Sequence, residues 1–89
     1  MKVKHELTIT AQCPVSETRD EYQCTVETEC LIQVETILDA AKKLGERKIY
    51  QEDLCALLAK DLGGDAAVTL VGVHSGVKTT VTCYAYESL

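Results

Sequence analysis

Hydrophobic rhythm limits what this chain can become more than any single motif. Residues 3–11 alternate, with Val3, His5, Leu7, Ile9 and Ala11 on one face and Lys4, Glu6, Thr8 and Thr10 on the other. A period of two predicts a half-buried strand. Residues 22–30 repeat it, setting Tyr22, Cys24, Val26, Thr28 and Cys30 against Gln23, Thr25, Glu27 and Glu29. The rhythm then changes. Leu31, Val34, Leu38 and Ala41 keep helical spacing, with Ile37 and Leu44 widening the stripe and Gly45 as C-terminal cap. A second helix is predicted over roughly 51–62, striped by Leu54, Leu58 and Leu62. Glu52 and Asp53 suit its positive first turn, and Gly63-Gly64 end it. The β-rich run 66–74, a Ser75-Gly76 turn and the alternating run 77–86 complete the chain.

The order is strand, strand, helix, helix, strand, strand. Four antiparallel strands with two helices on one face make a two-layer α+β domain, and 89 residues suit one domain spanning 1–89. The outer strands have open edges, which invite pairing with further subunits. The acidic, threonine-rich sheet face either lines a channel in an assembly or faces water. A net charge of −5 argues against broad binding to nucleic acid or anionic membrane. No run reads as a signal peptide or a membrane span, so the expectation is a cytoplasmic protein. Its five cysteines (13, 24, 30, 55 and 83) then read as thiols, with Cys24, Cys30, Cys55 and Cys83 as small buried apolar residues.

The segment joining the first two strands, CPVSETRD at residues 13–20, has two readings. Pro14 fixes the backbone after Cys13, and a chain reversal brings Asp20 back beside it. Cys13 is then a nucleophile and Asp20 the proton donor to the anion formed by its attack. The other reading is a turn, with Asp20 as a local cap or solvated charge. Lys42, Lys43, Arg47 and Lys48 either meet a phosphate or complement a helix C-terminus; the second is favoured. His74, beside Ser75-Gly76, lies near a shared pocket or is a turn residue. There is no Gly-rich phosphate loop, Ser-His-Asp order or HExxH.

Cys13-Pro14-Val15-Ser16, with Asp20 seven residues after the cysteine, resembles the active-site segment of the 7-cyano-7-deazaguanine reductase family, the nitrile reductases of queuosine synthesis. Val34-Glu35-Thr36 resembles that family's Val-Glu-Ser opening, and Tyr50-Gln51-Glu52-Asp53 its Phe-His-Glu-Asp. Gly72 to Tyr84 is similar to its closing hairpin. The element order resembles the tunnelling fold, whose ββααββ units associate into barrels and bind purine- or pterin-like rings between subunits. The resemblance implies that Cys13 attacks the nitrile carbon of 7-cyano-7-deazaguanine to give a thioimide. It implies that Asp20 handles the proton on the nitrile nitrogen. Glu52 is implied to hold the donor edge of the ring, as a carboxylate accepting two N–H groups can; its other reading is a favourable charge at a helix N-terminus. His74 is taken as a further substrate-binding candidate.

The departures choose among relatives. The reductases carry lysines associated with NADPH after the glutamate; here ETILDAAKK places Ile37 at the first of them, and Gln51 replaces the histidine of the second helix. NADPH remains possible, but no cofactor is expected. An archaeal group with the same cysteine and aspartate adds ammonia to the nitrile on tRNA, giving the amidine of archaeosine, and this sequence resembles it at least as well. The expectation is a homo-oligomer with its site between subunits, acting on the 7-deazapurine as a free base or within tRNA. The alternatives are a nitrile reductase, a non-catalytic purine- or pterin-binding oligomer, and a cyclohydrolase-like zinc enzyme using Cys13, His74 and Cys83. No ligand spacing supports the zinc set, and no metal is expected.

Overall fold

Two hairpins flank a helix pair in the computed structural model, which describes residues 1–88. Strands β1 (Val3–Gln12) and β2 (Arg19–Thr28) precede helices α1 (Val34–Gly45) and α2 (Gln51–Leu62). Strands β3 (Ala67–His74) and β4 (Val77–Tyr84) follow, and a single 3₁₀ turn covers Ala85–Ser88. The sheet is antiparallel throughout, in the order β1-β2-β3-β4. Both helices cover one face. Ile9, Ala11, Tyr22, Cys24, Val26, Val68 and Leu70 meet Ile37, Leu44, Leu54 and Leu58 between the layers. This is the ββααββ unit that the rhythm predicts, and β1 and β4 are its open edges. Among the described residues no helix is long and apolar enough to cross a membrane.

The turns follow from local chemistry. Gly63, with φ of 69°, caps α2, and Ser75 and Gly76 both take positive φ in the two-residue β3–β4 turn. Such a turn matches the twist of the flanking strands. The outer sheet face carries threonine pairs such as Thr69–Thr82, 3.0 Å between hydroxyls, and is open to solvent in the single chain.

Several boundaries differ from the sequence reading. Strand β2 starts at Arg19, so Asp20 is a strand residue paired with Ala11 and not part of the connecting loop. It ends at Thr28, because the Thr28 hydroxyl donates to Asp65 and accepts the Cys30 N–H at 3.0 Å. The Asp65 carboxylate also accepts the Glu29 N–H at 2.8 Å. These bonds turn the chain outward, and Cys30 is exposed rather than buried. Leu31 lies outside α1 and is 79% exposed, while Val34 and Leu38 also face out. The stripe that packs is Ile37, Ala41 and Leu44. Gly45 is the last helical residue, not the cap beyond it; a Cβ there would lie 2.5 Å from the Thr10 carbonyl oxygen. Its value is therefore close approach of helix to strand. Residues 85–86, expected to extend β4, belong to the 3₁₀ turn.

Candidate active site

Cys13 ends β1's run of helix-facing residues and opens a tight loop. Its N–H donates to the Thr18 carbonyl at 2.9 Å, closing residues 13–18 into a hairpin end. Ser16 and Thr18 share a hydroxyl–hydroxyl bond of 2.7 Å, and Glu17 takes a left-handed φ of 57°. The loop folds back over the sulfur. The Ser16 hydroxyl, then the Val15 and Ser16 backbone groups, bond to it and hold the thiol below its ordinary pKa, with burial and the Asp20 carboxylate opposing. A thiolate that accepts hydrogen bonds is favoured over the thiol for the reason that any anion is.

Strand parity brings Asp20 to the same side. Ala11 pairs with Asp20, and Cys13 is two residues beyond Ala11, so both side chains project on the helix-covered face. Two residues on, Tyr22 lies on that face and is 2% exposed. Its hydroxyl donates to Asp20 Oδ2 at 3.5 Å. Burial first, then the charges of Asp20 and Cys13, push the phenol up to about 12, so it stays a donor through neutral pH. His74, at the end of β3, places Nδ1 3.6 Å from the same Oδ2. The Tyr22 and His74 rings lie 5.9 Å apart, tilted by 49°. Gly72 makes this possible. A Cβ there would sit 2.6 Å from Tyr22 Cδ1 and Cε1, where the ring lies against β3.

The start of α2 closes the third side. The Ile49 N–H donates to the Gln12 carbonyl at 3.0 Å, and Lys48 bridges to Gln12, fastening the interhelix loop beside Cys13. Buried Gln51 donates its amide to the Leu70 and Thr79 carbonyls, 3.0 Å each, and so pins the helix start to β3 and β4. Glu52 follows at the exposed surface, near enough to add to the charge felt by the Tyr22 phenol. Cys13, Asp20, Glu52 and His74 are thus gathered at one end of the sheet. Tyr22 was legible only as a core residue, although its spacing of two from Asp20 puts both on one face.

Other candidates separate. Cys83 pairs with Val68, and Val68 with Val26, six strand positions from Asp20. At ~3.3 Å per residue that is roughly 20 Å, so Cys83 cannot join Cys13 and His74 around a metal. Among the described residues no group of three or more His, Cys, Asp or Glu is placed to hold one. Cys24 and Cys55 are buried, and burial pushes their thiols up to about 11 and about 12. Lys42 and Lys43 occupy the last turn of α1, as the helix-end reading has them. Arg47 and Lys48 border an open depression of about 520 Å³ with Pro14, Tyr50 and Asp53.

No protein-family model matches the chain, and no curated protein matches it in sequence. Among solved structures it is similar to the archaeosine synthase QueF-Like in the apo form, with a TM-score of 0.85 and 21% identity over 94% of this chain and 92% of that one. At that identity the likeness is one of fold.

Proposed function

We propose that this protein is a nitrile-acting enzyme of 7-deazaguanine chemistry, with Cys13 as nucleophile and an amidine as product. One observation carries the reading: a cysteine whose thiolate is favoured by Ser16 and the loop backbone stands on the same sheet face as Asp20. The fold shared with an archaeosine synthase supports it, as does the resemblance of Cys13-Pro14-Val15-Ser16 to Asp20.

The Cys13 thiolate attacks the carbon of the C≡N bond. One π bond breaks, an S–C bond forms, and the nitrogen takes a proton from Asp20 to give the thioimide. Ammonia then adds to the same carbon and gives its surplus proton back to Asp20. Collapse of the adduct breaks the S–C bond, releases the thiolate and leaves the amidine. Glu52, exposed in the first turn of α2, accepts the N–H edge of the 7-deazaguanine ring. Addition of ammonia rather than hydride is favoured because Ile37, at the first lysine position of the reductase pattern, is 2% exposed and packed in the core. Symmetric self-association through the open β1 and β4 edges would enclose a site that is open on the single chain. The base is taken free or within tRNA.

The test is intact mass after mixing with 7-cyano-7-deazaguanine. Expected is a one-to-one adduct equal to the whole nitrile, absent in Cys13→Ala, and discharged by ammonia without NADPH. NADPH consumption would replace the amidine by reduction. Ligand binding without an adduct would leave a non-catalytic binding protein.

A further inference from the structure

Resting on the thioimide reading, we infer that His74 carries the proton that Asp20 delivers, so that the acid of this site is a carboxylate–imidazole pair spanning two strands. Of the two histidines, His5 is paired with Val26, six strand positions away from Asp20. His74 faces Asp20 Oδ2 at 3.6 Å. Gln51, where the resemblance has histidine, is an amide with no titratable proton, and its donors are taken by two backbone carbonyls.

The surroundings fit a relay. His74's side chain is 38% exposed and Asp20's 20%, so the imidazole exchanges with solvent while the carboxyl lies deeper. Tyr22 donates to the same Oδ2, which leaves Oδ1 to serve the substrate. Gly72 leaves room for the Tyr22 ring, which a Cβ would meet at 2.6 Å, while His74 Nε2 lies at an ordinary contact distance of 3.6 Å from that position. The ionisable groups gathered here are Asp20 and Tyr22 from β2, with Cys13 from the loop and Glu52 from α2 reaching the Tyr22 phenol.

The relay balances over the cycle. In thioimide formation the imidazolium gives its Nδ1 proton to Asp20, which passes one to the nitrile nitrogen, and His74 becomes neutral. When ammonia adds, the new C–N bond leaves an ammonium. Its surplus proton returns through Asp20 to His74, and the S–C bond then breaks. His74 is a positioning and proton-carrying residue; Asp20 touches the substrate.

The test measures the rate of adduct formation with 7-cyano-7-deazaguanine over roughly pH 5 to 9 in wild type, His74→Gln and His74→Asn. The expected result is a loss of about 10²-fold in rate and a pH profile of different shape from that of the wild type. Cys13 alkylation by iodoacetamide and the melting curve should stay unchanged. An unchanged rate and pH profile would overturn the inference. So would parallel losses of rate, alkylation and melting temperature in both variants, which mark a structural histidine. If wild type forms an adduct with neither the free base nor the base within tRNA, the function reading fails by itself and the ¹⁵N signal of His74 Nδ1 decides the linkage. It is expected to move on Asp20→Asn while that of His5 stays, and an unmoved signal refutes the pairing.

Discussion

Replacing Gly72 by alanine tests whether Tyr22 is held by the missing Cβ. Two effects oppose each other. Alanine narrows the unfolded ensemble, which stabilises by about 0.4–1 kcal/mol where the fold tolerates it. Against this, the new carbon would start 2.6 Å from two ring carbons of Tyr22, where contact distance is ~3.5–4.0 Å. The ring must retreat by about 1 Å. It is 2% exposed and has core atoms around it, so the retreat is resisted. Overpacking of this kind costs about 1–3 kcal/mol, and sterics therefore win. With mid-range values the net cost is about 1.3 kcal/mol, a loss in melting temperature of roughly 5–10 °C for a domain of this size. Urea unfolding gives the same comparison, with an unchanged m-value showing that the compactness of the unfolded state is the same in both proteins. The decisive arm repeats Gly72→Ala in a Tyr22→Leu background. There the substitution is expected to be neutral or slightly stabilising, a coupling of at least about 1 kcal/mol. Equal losses in both backgrounds would refute the argument, because the ring would not be what the Cβ meets.

Three further outcomes follow from the same geometry. Ser16→Ala removes the hydroxyl that most favours the Cys13 thiolate, so the thiol titrates at higher pH. Below that value the thiolate fraction drops and iodoacetamide labelling slows; well above it the two proteins converge, with exposed Cys30 as an internal control. Gln51→Ala leaves the Leu70 and Thr79 carbonyls without their donor and is expected to cost about 1–3 kcal/mol in urea. Glu52→Ala, at an exposed position, should stay within about 0.5 kcal/mol while weakening binding of the deazaguanine ring.

The fold was legible because each element states its period plainly and each joint has a chemical marker. Residues 51–62 form α2 as read, and Gly63 and Ser75-Gly76 turn where expected. Where the reading failed, a tertiary contact overrode the pattern. Cys30 continues an alternation that Thr28 and Asp65 interrupt, and no local signal joins residues 28 and 65. Leu31, Val34 and Leu38 keep helical spacing, yet the face that packs is set by where Gly45 lets α1 approach Thr10. That Cys13 and Asp20 lie together was legible because one hairpin carries both. Tyr22 looked like core, and its phenol serves both core and site. His74 could be placed at a strand end, but its approach to Asp20 depends on the pairing of β2 with β3.

That pairing has a consequence for the order of folding. The β1–β2 hairpin holds Cys13, Asp20 and Tyr22, and the β3–β4 hairpin holds Gly72 and His74. Each hairpin closes over a short loop, an event of ~1–10 μs in isolation. The β2–β3 seam runs from Glu27↔Ala67 to Gln23↔Val71, so Asp20 and His74 meet beyond its last registered pair. Closing that seam requires the whole helix pair to bring the two halves together, the slow, long-loop step of such a topology. Neither half of the chain contains the carboxylate–imidazole pair alone. Its appearance during refolding would therefore time the seam itself, after the first hairpin has already joined Cys13 and Asp20.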